Sequence, residues 1–119
     1  MTIAAYGYNF ELARAAALKL AYEYEIFAEI VVFSQLSPFE LTPLFDSVRR
    51  TKHLLTVEEG TQPLGWGAEI AAQAAEEVSN LKIRRAAALD LPIGNAKTLE
   101  DAILPSLEKI VRLALEILK

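Results

Sequence analysis

Leu55-Thr56-Val57-Glu58-Glu59-Gly60 is followed, four residues on, by Gly65-Trp66-Gly67-Ala68-Glu69-Ile70. The first run is apolar and β-branched, as a buried strand is, and it ends in two carboxylates. The second opens on glycine and turns to helical periodicity. A strand, a short loop and a glycine-led helix are the repeating parts of an α/β fold.

The rest of the chain reads the same way. Thr2 to Tyr6 is a short strand stopped by Gly7, and Asn9 is placed to cap a helix over Phe10 to Tyr24. Phe27 to Phe33 is almost continuously apolar, which suits a central strand buried on both faces. Ser37-Pro38-Phe39-Glu40 has the form of a capping box, and Thr42-Pro43 repeats the signal, so the second helix can start at either place. It ends near Arg49 and Arg50. A strand over His53 to Glu58, a helix over Gly65 to Ser79 and a strand over Lys82 to Ala87 follow. Asp90 to Asn95 has loop chemistry, Thr98 to Asp101 can cap a short helix, and Ser106 to Lys119 is the last helix. This order predicts a three-layer α/β/α sandwich.

The 119 residues suffice for one domain with its own core. Apolar residues make up 53% and the mean hydropathy is +0.25, so the core is dense or part of the surface awaits a partner. No uncharged run approaches the ~18 residues of a membrane span, and the first ten residues lack a basic segment of the signal-peptide kind. With no cysteine, disulfides and thiolate chemistry are excluded. A net charge of −4 argues against nucleic acid as a partner.

Two helices are apolar over more than one sheet contact requires. In the last, Glu108, Lys109, Arg112, Glu116 and Lys119 form a narrow polar arc, and apolar side chains fill roughly 200° of the wheel against the ~100° that burial on a sheet uses. Leu113 and Ile117 are the surplus, covered either by another element of the domain or by another chain, and so are the candidates for a subunit interface. In the third helix Glu69, Gln73, Glu76 and Glu77 form one stripe, with alanines over much of the remainder.

Candidate chemistry is sparse. His53, the single histidine, has no nucleophile or orienting acid at recognisable spacing, so no catalytic residue is assigned. A dinucleotide fingerprint would need glycine at position 70, where Ile70 stands, and Glu58 and Glu59 would repel a phosphate. Neighbours on a strand face opposite ways, so at most one of those acids faces any one site. No cofactor or metal site is assigned. Lys82, Arg84 and Arg85 make a small basic patch without aromatics, which suits a salt bridge to a carboxylate or to another domain better than nucleic acid.

Several blocks, in order, resemble the C-terminal domain of transketolase-like, thiamine-diphosphate-dependent enzymes. They are Ala5-Tyr6-Gly7, Leu36-Ser37-Pro38-Phe39-Glu40, Thr56 to Gly60 and Gly65 to Ile70. Asp90-Leu91-Pro92, Ala96-x-x-Leu99-Glu100, Leu104-Pro105 and Ile110 are similar to the beta subunit, or fused beta portion, of the decarboxylating first component of 2-oxo acid dehydrogenase complexes. Ile93-Gly94-Asn95 departs from that pattern, where relatives carry a second proline.

The resemblance implies a mostly parallel mixed sheet of about five strands and one domain, 1–119, belonging to a longer chain. It implies a parent enzyme, pyruvate or branched-chain in type, that decarboxylates a 2-oxo acid and passes the acyl group to lipoamide. Thiamine diphosphate and magnesium would be held by other domains. This domain would be non-catalytic, forming an oligomer with the parent's other domains and subunits. It would dock the acyltransferase core's subunit-binding domain, for which Glu69, Glu76 and Glu77 are the candidates. A bacterial cytoplasmic location is expected. The C-terminal domain of a transketolase or deoxyxylulose-phosphate synthase, or a free-standing small α/β binding module, are the alternatives.

Overall fold

The computed structural model describes residues 1–36, 40–91 and 96–119, the side chains of Leu99 and Glu100 excepted. Its strands are β1 (Thr2–Tyr6), β2 (Glu29–Phe33), β3 (His53–Thr61) and β4 (Lys82–Ala88). Its helices are α1 (Asn9–Tyr24), α2 (Thr42–Thr51), α3 (Trp66–Glu77), α4 (Lys97–Ile103) and α5 (Leu107–Ile117). The strands lie in the order β2-β1-β3-β4, and every pairing is parallel. Four strands are present among the described residues, where the family resemblance implies about five.

Strand alternation divides the core. Ile3, Ala5, Leu55, Val57 and Ala86 face α1 and α5, packing on Leu20, Ile110, Leu113 and Ala114. Ala4, Phe33 and Leu54 face the opposite layer, against Leu44, Val48, Ile70 and Ala74 of α2 and α3. This is the three-layer sandwich, with helices on both faces of a parallel sheet.

Four expectations change. Phe27 to Phe33 is not a central strand: β2 is an edge, only Glu29–Phe33 is extended, Phe27 is 77% exposed and Val32 47%. A nearly continuous apolar run marks a strand without giving its place in the sheet. Asn9 does not cap α1. Tyr8 holds the cap position and makes no side-chain cap bond, while Asn9 is turned into the protein. β3 continues past Glu58 to Thr61, because Thr61 pairs with Ala88 beyond an irregularity in the register. Leu113 is 9% exposed and Ile117 1%, so neither offers a free interface. α5 packs on α1 as well as on β3 and β4, and these contacts use the arc that one sheet face would leave over.

The second helix takes the later of its two starts, with Pro43 in its first turn. Ser37, Pro38 and Phe39 of the earlier start lie outside the described residues, as does the Ile93-Gly94-Asn95 departure. Ser106 caps α5 by accepting from the Lys109 amide.

Candidate functional site

β1 leads by α1 to β2 on one side, and β2 leads back past β1 to β3 on the other. The carboxyl ends of β1 and β3 therefore flank a topological switch point, where open α/β sheets form their ligand crevices. Tyr6, Gly7, Glu58 and Glu59 stand there.

Glu58 and Glu59 part company, as neighbours on a strand must. Glu58 is 1% exposed and turned toward α3, where its Oε2 accepts the Gly67 amide. That amide belongs to the first turn of α3, whose N–H groups have no partner within the helix. The carboxylate thus occupies the position at which an anion would bind a helix N-terminus. Its neighbourhood is made of glycine for a steric reason. A Cβ at Gly60 would lie 2.5 Å from Glu58 Oε1, and one at Gly67 would lie 2.5 Å from Thr56 Oγ1 and 2.6 Å from Glu58 Oε2. A Cβ at Gly65 would strike Glu58 Oε1 and the Thr61 carbonyl.

Burial raises the Glu58 carboxyl above its usual pKa, and the Gly67 and Trp66 amides and the charge of Arg85 pull it back in part. Glu58 Oε1 and Thr56 Oγ1 are buried without a partner among the described residues. Trp66 meets Tyr6 edge-on at 4.8 Å and Phe33 at 5.3 Å. The Tyr6 hydroxyl is shifted upward, by burial first and then by Glu58 and Glu59. With the Glu58 carboxyl already on the Gly67 amide, a diphosphate at the start of α3 would meet an occupied donor and a like charge.

On the other face, Glu59 is exposed and borders a pocket of about 540 Å³ between the starts of α1 and α5 and helix α4. His53 starts β3 with its Nδ1 2.7 Å from the Thr51 carbonyl, a structural contact. Arg85 donates to the Gln62 carbonyl and Arg84 to that of Ile83, so within the domain these two side chains bond backbone carbonyls. Glu69, Glu76 and Glu77 are all exposed on α3. Glu77 is already paired with Arg49 of α2, and Glu69 accepts from Gln73. Among the described residues, no three His, Asp or Glu side chains gather as a metal site would require.

Residues 1–110 match the family model described as transketolase, C-terminal domain. The chain belongs to the transketolase C-terminal domain family. This transketolase C-terminal domain is 35% identical over 122 residues to the pyruvate dehydrogenase E1 component subunit beta, mitochondrial, of Drosophila melanogaster, covering 99% of this chain and 33% of that protein. The corresponding subunit beta-1 of Arabidopsis thaliana is 37% identical over 115 residues, covering 94% of this chain and 31% of that protein. A solved split-gene transketolase, described as an inactive beta4 tetramer, superposes with a TM-score of 0.83 at 25% identity, covering 98% of this chain and 37% of that one. The domain spans about a third of the length of the curated relatives it matches.

The expected bacterial cytoplasmic location is corrected by these matches. The relatives from fly, yeast and Arabidopsis are mitochondrial proteins, and nothing in the domain's core or surface pattern encodes a compartment. Sequence reasoning identified the Glu58-Glu59 pair and its glycines but missed that Glu58 itself fills the helix terminus. The signal was present: Leu54, Thr56 and Glu58 alternate onto one face, and the spaced glycines lie directly after.

Proposed function

We propose that this domain is part of the beta subunit, or fused beta portion, of a 2-oxo acid dehydrogenase first component of the pyruvate type, and that it serves assembly and docking without doing chemistry. The observation that carries the non-catalytic reading is the buried Glu58 carboxylate seated on the α3 amides. It occupies the N-terminus of α3 at the switch point. The pyruvate type is supported by the relatives from fly, yeast and nematode, each named as a pyruvate dehydrogenase subunit. Decarboxylation with thiamine diphosphate and magnesium, and acyl transfer to lipoamide, belong in this reading to other domains of a longer chain and its partner subunits. The residues here do not fit a diphosphate, so no step is assigned to them. A transketolase parent is the second reading, favoured by the superposed split-gene transketolase. The tetrameric description of that neighbour also supports an oligomer.

Glu69, Glu76 and Glu77 form the docking face for a basic subunit-binding domain of the acyltransferase core. Exposed acids on one helix steer a basic partner and fix its register. Titration calorimetry of that domain against the wild type and the E76K/E77K variant tests this reading. Binding weakened at least about tenfold is expected. Unchanged binding overturns the assignment.

A further inference from the structure

The two edges of the sheet differ in chemistry. β4, at one edge, exposes Lys82 and Arg84, cationic side chains of the kind that keep a strand edge from pairing with another chain. β2, at the other, carries one charge, Glu29, and that carboxylate is already taken by Ser47 and Arg50 of α2. The remainder of β2 is apolar, and Val32 is 47% exposed. We propose that β2 pairs antiparallel with β2 of a second copy of this chain, across a two-fold axis at Val31, so that the two sheets run on as one.

The backbone says what kind of group the edge takes. The Glu29 amide donates to the Met1 carbonyl, so Glu29 turns its main chain toward β1. Successive residues of a strand turn theirs to opposite sides, which leaves the N–H and C=O groups of Ile30 and Val32 on the open edge. Donors and acceptors at that spacing are met by another extended backbone. The side chains then single out a second copy. In an antiparallel pair centred on Val31, Ile30 stands opposite Val32 of the second copy, and Val32 opposite its Ile30. Each such pair exchanges both N–H···O bonds. Ile30 and Val32 are in register with Ile3 and Ala5, so these apolar pairs form on the α1 side of the sheet. Glu29 falls opposite Phe33 and not opposite itself, so the like charges do not meet. A strand with apolar neighbours on both sides of a central valine is complementary to its own reverse, as a two-fold interface requires.

This proposal rests on the assembly reading and gives it a surface separate from Glu69, Glu76 and Glu77 of α3. Its failure would leave docking to other subunits untouched, because those measurements read partners other than this chain.

The test is light scattering of the chain by itself at about 0.1 mM, where a dimer with a dissociation constant of about 1 μM is nearly complete. Amide hydrogen exchange and two variants accompany it. The wild type is expected at twice the 13.1 kDa of one chain, with slow exchange at the Ile30 and Val32 amides. Val32→Lys places a charge on the half-exposed edge and is expected to give a folded monomer in which those two amides exchange freely. E76K/E77K should stay dimeric. Val31 opposes itself as a non-hydrogen-bonded pair, whose Cα atoms stand about 4.5 Å apart, within disulfide reach. The chain has no cysteine, so Val31→Cys should give a covalent dimer on mild oxidation, while Glu76→Cys should not. The exchange and cross-linking results do not depend on Val32→Lys folding. A wild-type monomer at that concentration, a dimer whose Ile30 and Val32 amides exchange freely, or a Val31→Cys chain that does not cross-link would each overturn the proposal.

Discussion

A carboxylate kept from water beside three glycines makes the start of α3 intolerant of a single added methyl group. At Gly67 that methyl would lie 2.5 Å from Thr56 Oγ1, a side chain fixed in the central strand. Gly67→Ala should therefore destabilise the domain by about 1–3 kcal/mol, the usual range for overpacking, despite alanine's better helix propensity. Urea denaturation measures it, and a neutral or stabilising effect would contradict the packing described. Glu58 gives a pH signature. Its folded pKa is raised, so the native state holds the proton more tightly than the unfolded chain. The stability this contributes is present below the unfolded value of about 4.3, declines as pH rises from there through the raised folded value, and is flat above it. Glu58→Gln should remove that decline. The difference between wild-type and variant unfolding free energies, measured from pH 4 to pH 8, isolates Glu58 from Glu29 and Glu40. Those two carboxyls are shifted downward and lose stability in the opposite direction, as pH falls.

At the scale of elements, α5 shows how far periodicity can be read. Its polar arc is where the wheel places it. What the wheel cannot supply is the number of neighbours, and α5 has both α1 and the sheet against it. Leu113→Ala and Ile117→Ala should each cost about 2–4 kcal/mol in chemical denaturation, as core truncations do, with no change in oligomeric mass. A mass change with little loss of stability would return both residues to an interface. The strands were legible for the same reason and to the same limit. β1 and β3 follow from apolar runs ended by glycine and polar turns, while β4, with three basic residues and three alanines, carries a weaker signal. β2 reads as a strand, but its four apolar residues, Ile30 to Phe33, look alike whether one edge is open or both are paired. Residue type alone reads Asn9 as a cap, whereas its burial is set by the tertiary packing at the start of α1.

The order of strands and helices across the whole molecule could be read from the chain, and so could the family, because its blocks stand in sequence along almost the full length. The pocket could not be. Glu59, Asp101 and Glu108 come from three elements that meet only after α4 and α5 fold back over the end of the sheet. The central claim is that the domain exists to join other subunits. Light scattering of the chain alone, and mixed with a pyruvate dehydrogenase alpha subunit and the acyltransferase's subunit-binding domain, tests it most directly. The account predicts a mass above that of a 13.1 kDa monomer, rising further when those partners are added. A stable monomer whose mass is indifferent to both partners would contradict it.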